Sequence, residues 1–294
     1  MKCLVVGHLT RDIVLHSDVK AERPGGGAYY SAITLANFCD VEVLTSVGED
    51  LPGEWLDELK ELGIKLRIIP SNESTSYELR YIDANRRKLR LLSRAPPIVD
   101  VPGGDYDMVM LNPVAGEIPP ESATKFKKLS NFLVADVQGF IRAPEVGPVR
   151  LREIDASFLR GMRVFHADLT ETRYLTNFSP GDVEVLLISN GAEPGFAYLK
   201  SMGYRYRPIQ MDIEESTGAG DVFLASFSYF YSQCPFIQAL KKANAFTALF
   251  LKHRDFSFSM EDLNELAMRV AVERLNDINP LGTIMPADDE TSAC

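Results

Sequence analysis

The stretch Glu214-Glu-Ser-Thr-Gly-Ala-Gly-Asp221 runs straight into the apolar segment VFLASFSYFY (222–231), with an acid at the junction. Its two glycines permit backbone turns that other residues resist, and they leave N–H groups uncovered. Residues 222–231 are apolar nearly all round, as a buried helix is. Together these features predict a helix N-terminus that points free N–H groups into a cleft. Such a site suits a phosphate whose charge grows during transfer. Asp221 beside it can take a proton from a hydroxyl that attacks phosphorus. The competing reading is an Asp that stabilises its own helix. The GxGD pattern alone does not separate the two.

The elements that must hold this junction alternate along the chain. CLVVG (3–7), VEVLTSVG (41–48), MVMLN (108–112), FLVADVQ (132–138), RVFHAD (163–168) and VEVLLISNG (183–191) are apolar, β-rich runs that end in polar or Gly residues. Between them, residues 28–38, Trp55–Leu62 and Ser122–Lys128 read as helices. This rhythm predicts an α/β fold, a mostly parallel sheet with helices on both faces. Residues 74–94 break the rhythm. They alternate polar and apolar side chains around a DAN turn (83–85), which predicts a hairpin with one wet face, part of a small projecting sheet or an ordinary surface hairpin. The last third reads as helical, with a capping box at Ser259-Met-Glu-Asp262. Residues 276–294 read as a loose tail.

Composition bounds the function. With 294 residues, 46% of them hydrophobic, the chain can bury a sizeable core. A net charge of −10 argues against a nucleic-acid surface. No apolar run reaches membrane-spanning length. MKCLVVGHL lacks the h-region of a signal peptide and reads as a first buried strand. The four cysteines are scattered without a CxxC pair, which points to a reduced, cytoplasmic protein rather than a zinc site.

Glu215-Ser-Thr-Gly-Ala-Gly-Asp221 resembles the second signature of the ribokinase, or PfkB, carbohydrate kinases, D-[ST]-[ST]-G-A-G-D followed by an apolar helix. That resemblance implies a three-layer α/β/α fold with a small β-sheet lid. The kinase domain would span 1–275, with lid strands from about 10–24 and 74–94. It implies Asp221 as catalytic base, with Gly218, Ala219 and Gly220 as the anion hole. Glu215 stands where the family has Asp, which leaves open the monovalent-cation site that some members build there.

Further family features follow in order over residues 2–273. Gly7-His-Leu-Thr-Arg-Asp12 resembles the first strand end, whose Asp binds sugar hydroxyls; an ionised carboxylate only accepts hydrogen bonds and suits a polyol. Pro24-Gly-Gly-Gly-Ala28 resembles the first signature, placing Gly26 and Gly27 against substrate, although Tyr29-Tyr30 replaces the usual Asn. Asp136-Val-Gln-Gly-Phe-Ile-Arg142 resembles D-x-N-x-x-x-R, with Gln138 in the Asn position. Asn112 ends the strand before it; for Asn112 and Gln138 a structural role at a strand end stays open. Asp168-Leu-Thr-Glu171 resembles N-x-x-E, which would place Glu171 (through water) and Asp168 on Mg²⁺; the alternative is two acids at a helix start. Ser189-Asn-Gly-Ala-Glu-Pro-Gly195 resembles the nucleotide loop, with Ser189, Gly191 and Gly195 on ATP together with Thr217, Gly218 and Gly220. Asn244 lies where the last helices flank adenine, or is an ordinary helix-face Asn.

The combination GHLTRD, PGGGAYYSA and ESTGAGDVFLASFSYFYSQCPF is more similar to the archaeal branch that phosphorylates myo-inositol than to ribokinase. This implies ATP and Mg²⁺ as co-substrate and cofactor and myo-inositol 3-phosphate as product. Tyr77 on the hairpin can cover the ring's apolar face. Residue chemistry alone leaves open which hydroxyl reacts, a sugar or nucleoside acceptor, and a non-catalytic nucleotide or polyol sensor. The hairpin sheet can act as a lid on one chain or pair two chains as a homodimer.

Overall fold

The computed structural model describes residues 1–16, 19–82, 87–211, 213 and 215–276. The expected turn at 83–85 and residues 277–294 of the expected tail lie outside these. In chain order, β1 (Lys2–Val6), β2 (Thr10–His16) and β3 (Val19–Gly25) precede α1 (Gly27–Leu35). Then come β4 (Asp40–Val47), α2 (Gly53–Glu61), β5 (Lys65–Pro70), β6 (Thr75–Tyr81), β7 (Arg87–Ser93), β8 (Met108–Leu111) and α3 (Pro120–Phe126). The middle of the chain holds β9 (Leu133–Asp136), α4 (Gln138–Ile141), β10 (Gly147–Pro148), β11 (Ile154–Asp155), β12 (Val164–Asp168), β13 (Leu175–Thr176) and β14 (Val185–Ser189). It ends with β15 (Gly195–Leu199), β16 (Met202–Tyr206), α5 (Ala219–Gln233), α6 (Phe236–His253), α7 (Met260–Met268) and β17 (Val272–Arg274).

The large sheet has the order β17-β16-β15-β14-β12-β9-β8-β1-β4-β5. It is parallel from β5 to β14, and β15, β16 and β17 add antiparallel strands at one edge. Continuous apolar runs such as CLVV and VLLI make sense here, because both faces of each strand are covered. Alternate side chains of one strand therefore enter different cores. Cys3 and Val5 join the core built with α1, α5, α6 and α7, while Leu4 and Val6 join the core built with α3. The result is the three-layer α/β/α architecture expected from the alternation of elements.

The hairpin segment pairs as expected: β6 and β7 are antiparallel. They belong to a five-stranded sheet, β10-β7-β6-β2-β3, in which only β2 and β6 run parallel. Its inner face carries Tyr77, Leu79 and Leu91, packed on Val114 and Ala115 just beyond β8. Strands β5, β15, β16 and β17 were not foreseen. KLRIIP alternates only weakly, and the edge strands are short, so their pairing depends on neighbours supplied by the fold. Both halves of the capping box form at α7, with Ser259 and Asp262 satisfying each other's backbone N–H groups. Among the described residues no helix is long and apolar enough to cross a membrane.

The buried face of α5 anchors the site to the sheet. Phe227 is fully buried and stacks on Tyr231 at 5.5 Å. Replacing Phe227 with Ala should destabilise the protein by about 3–5 kcal/mol, because the ring leaves a cavity that a packed helix cannot collapse. Denaturant titration checks this; a loss below about 1 kcal/mol would mean that α5 shifts to refill the space.

Candidate active site

The carboxyl ends of the parallel strands converge on one cleft of about 320 Å³. This is where ligands bind in open α/β sheets. Gly7 and Asn112 follow β1 and β8, Asp136 and Asp168 end β9 and β12, and Ser189 ends β14. The five-stranded sheet covers the cleft from the other side with Thr10, Asp12, Tyr77, Leu79 and Leu89. The cleft is lined by most of the residues singled out in the sequence: Asp12, Gly26, Gly27, Tyr77, Gln138, Asp168, Glu171, Ser189, Gly191, Thr217, Gly218, Ala219, Gly220, Asp221 and Asn244.

Two of the named residues stand elsewhere. Asn112 is fully buried behind the cleft, and its amide reaches Asp221 Oδ1 at 3.4 Å. Gly195 opens β15 beneath the Tyr206 ring, where a Cβ would lie 2.3 Å from that ring. Its small size serves packing between β15 and β16, a demand that a turn-like SNGAEPG pattern does not reveal.

Asp221 lies in the first turn of α5, whose N-cap Gly218 adopts φ 82° and receives no side-chain cap. The N-cap is a glycine and Asp221 stands three residues on, an acid in the first turn that also complements the positive end of its own helix. A Cβ on Gly218 would meet the Tyr30 ring at 2.5 Å, so only glycine fits both the left-handed turn and the close approach. The α5 N-terminus thus opens into the cleft beside Tyr30. Gly27 runs past Asp221, where a Cβ would stand 2.7 Å from Oδ1. Gly25 runs past Asp12 on the other side, where a Cβ would fall 2.2 Å from Oδ2. The glycine run therefore passes between two carboxylates, and both line the same cavity.

His166 was not singled out in the sequence, and Asp136 and Arg142 were named there only as the ends of a motif, with no role of their own. His166 Nδ1 meets Asp136 Oδ2 at 2.6 Å, and His166 Nε2 lies 3.1 Å from Ser189 Oγ. Arg142 also lines the cleft. One signal for His166 was present: it stands two residues before Asp168 on β12, so both point to one face. Its pairing with Asp136 is a cross-strand register that requires β12 beside β9.

This concentration of charge shifts the acids. Burial first, and the Asp136 charge second, push Asp221 up to about 7 against the pull of His166 and Arg142. The same two causes push Glu171 up to about 7, opposed by the Asp168 N–H that Glu171 accepts at 2.8 Å. Burial disfavours the His166 imidazolium, but the hydrogen bond and charge of Asp136 outweigh it and raise the pKa.

Among the described residues no three His, Cys, Asp or Glu side chains converge to hold a metal ion by themselves. A Mg²⁺ ion normally takes one or two carboxylates plus substrate phosphates and water. Glu171 and Asp168, adjacent on the cleft wall, suit that arrangement. The sequence left a monovalent-cation site at Glu215 open. Glu215 Oε1 accepts Arg23 Nη1 at 2.7 Å and Arg254 Nη2 at 2.8 Å, so two guanidinium groups already hold this carboxylate.

A raised carboxyl pKa has a stability consequence. Between the ordinary carboxylate range and pH 7 the folded protein holds a proton at Asp221 that the unfolded chain releases. Stability therefore falls as pH rises through that window. Asp221→Asn should be more stable than the parent at pH 8 by on the order of a few kcal/mol, with the gain vanishing toward pH 4. Denaturation of the metal-free proteins at both pH values checks this; equal stability at pH 8 would show the carboxylate to be well solvated.

No protein-family model matches the chain. An inositol 3-kinase of Oryza sativa subsp. japonica is 25% identical over 250 residues, a match spanning 76% of this chain and 62% of that protein. A pyrophosphate-dependent kinase in the ribokinase family, solved with a pyrophosphate analogue and myo-inositol, superposes with a TM-score of 0.75 at 23% identity. That match covers 89% of this chain and 99% of the other. A ribokinase from Thermotoga maritima gives a TM-score of 0.71 at 16% identity, over 91% and 99% of the two chains. A lone Asp at a helix start would say little, but it stands here inside a fold shared with these kinases: the chain has the ribokinase-family fold, and the proteins it resembles are phosphoryl-transfer enzymes.

Proposed function

We propose that this protein is a kinase of the ribokinase family that transfers the terminal phosphoryl group of ATP to a hydroxyl of myo-inositol. The carrying observation is the partly buried Asp221 in the first turn of α5, beside the helix's open N-terminus and in one cleft with Asp12. Asp12 accepts hydrogen bonds from acceptor hydroxyls and orients the ring. Asp221 takes the proton of the hydroxyl whose oxygen bonds to phosphorus as the bond to the leaving phosphate breaks. A base with a pKa near 7 is well matched to that task at neutral pH. The N–H groups of Gly218 and Gly220 are the ones to face the charge that grows on the phosphoryl oxygens, since the Ala219 N–H donates to the Ser216 carbonyl at 3.1 Å. A bound Mg²⁺ would neutralise donor charge, with Glu171 and Asp168 the residues to hold it through water. Closure of the five-stranded sheet would keep water from competing as acceptor.

The acceptor assignment is supported by the rice inositol 3-kinase and by the structural relative solved with myo-inositol. A sugar or nucleoside acceptor is the second reading. A nucleoside needs a free aromatic face, yet Tyr30 is packed against Gly218 and Tyr77 lies beneath Arg142. The donor also has two readings, since that relative uses pyrophosphate. Pro208, Ile209, Ala248 and Leu251 form an apolar end to the cleft, suited to a nucleobase and of no use to pyrophosphate.

The test is product release with Mg·ATP or Mg·pyrophosphate against myo-inositol, ribose, fructose, glucose and several nucleosides. Turnover with ATP and myo-inositol is expected, and turnover on a sugar or nucleoside alone would replace the acceptor. Asp221→Asn should lower kcat by on the order of 10²–10⁴ with ATP affinity nearly unchanged. Asp12→Ala should raise KM for the acceptor far more than for the donor; the reverse pattern would remove Asp12 from the acceptor site.

A further inference from the structure

The segment that leads into the anion hole is held by an unusual set of contacts. Arg254 is the C-cap of α6 and adopts a left-handed conformation at φ 60°. For a residue with a long side chain that conformation is costly, so the surroundings must enforce it. From there its guanidinium lies over the Phe250 ring, 4.9 Å from the centroid. It donates through Nη1 to the Thr217 carbonyl at 3.1 Å and through Nη2 to Glu215 Oε1 at 2.8 Å. Thr217 immediately precedes Gly218. A carbonyl oxygen and a carboxylate oxygen thus converge on one positive group directly behind the anion hole.

Glu215 carries the connection further. The same Oε1 accepts Arg23 Nη1 at 2.7 Å, and Oε2 accepts the Tyr81 hydroxyl at 3.1 Å. Tyr81 Oη also lies 2.6 Å from Thr217 Oγ1. Arg23 is on β3 and Tyr81 on β6, the two strands that flank β2 in the small sheet. Arg23 is the direct cross-strand partner of Asp12. Burial alone would raise the Glu215 pKa, but the Arg23 hydrogen bond and the two guanidinium charges lower it below the ordinary range. The carboxylate is therefore fully charged at neutral pH.

We propose that the Arg254 guanidinium is a fixed internal cation that positions the anion-hole loop, tied through Glu215 and Arg23 to the strand that carries Asp12. Two consequences follow from the chemistry. The oxygens of Thr217 and Glu215 are already satisfied by a cation that cannot dissociate, so the loop needs no monovalent metal ion to order it. In addition, the donor-side loop and the acceptor-side sheet share one carboxylate, so their positions are linked. Arg254 is a positioning residue, since it acts through the loop and not on substrate. A planar fork satisfies two oxygens in fixed geometry, and a lysine ammonium does not reproduce that.

The inference rests on the kinase reading, and its test separates the two. Wild-type turnover should change less than about twofold between a potassium buffer and one with only bulky organic cations, because the charge is built in. Activation by potassium of tenfold or more would overturn the proposal. Arg254→Ala should lower kcat roughly 10- to 100-fold with acceptor KM changed far less, the scale for a displaced catalytic loop. Guanidinium at sub-denaturing concentration, or potassium, should restore part of that kcat, and Arg254→Lys should fall between alanine and wild type. Full kcat in Arg254→Ala with only a lower melting temperature would leave Arg254 a structural residue and sink the idea. Calorimetric binding of inorganic pyrophosphate to the wild type and to Arg254→Ala needs no turnover. If the whole substrate panel is silent, the kinase reading fails; weaker pyrophosphate binding by the variant then still supports the proposal, and equal affinity overturns it.

Discussion

Everything around the cleft answers one electrostatic demand, which is to keep a carboxylate desolvated beside a place that attracts anions. Asp221 is partly buried near Asp136, His166 and Arg142, and the loss of water around its carboxylate is the largest influence on its pKa. In water that carboxylate would be fully ionised at neutral pH and a weak base. Removed from water and placed near a second acid, it becomes a better one. The positive end of α5 and the imidazole of His166 keep the anionic form within reach. No one of these groups suffices. Without His166 and Arg142 the acids would repel one another, and without burial Asp221 would lose its basicity.

That balance explains why the site sits where it does. The carboxyl ends of parallel strands deliver side chains from distant parts of the chain to one line. Asp136 and His166 are cross-strand partners, and Ser189 at the end of β14 meets the other nitrogen of the same ring. A rigid sheet beneath holds these separations, since both of its faces are packed with fully buried side chains. The five-stranded sheet supplies the complementary wall and a second carboxylate, Asp12. Its connection to the loop before α5 through Glu215 means that neither wall is positioned independently of the other.

The tolerances are small. The glycine run between Asp12 and Asp221 brings backbone within side-chain distance of both acids, and Gly218 lies against the face of Tyr30. The Tyr30 ring thus both lines the cleft and packs against the turn that opens α5. The backbone of a residue with any side chain would push these groups apart.

Much of this was legible from the chain alone. Periodicity placed the first parallel strands, because residues such as Leu4 and Val5 must both be apolar when both faces are buried. The capping box at Ser259 and the helix start at Gly218 are local arrangements, encoded by neighbouring residues, and could be read directly. So could the acid at the α5 junction and the glycines before α1. What the residues did not disclose depends on pairing between distant segments. His166 looks like one more strand residue until β9 is beside β12. Asn112 reads as pocket-facing until Asp221 is placed next to it. Gly195 reads as a turn glycine until Tyr206 lies over it. Arg254 and Arg23 are ordinary surface-type residues in sequence, 231 positions apart, and only the folded chain brings both to one carboxylate. Local chemistry determines which groups can act; long-range contacts, which no short window contains, decide what each of them faces.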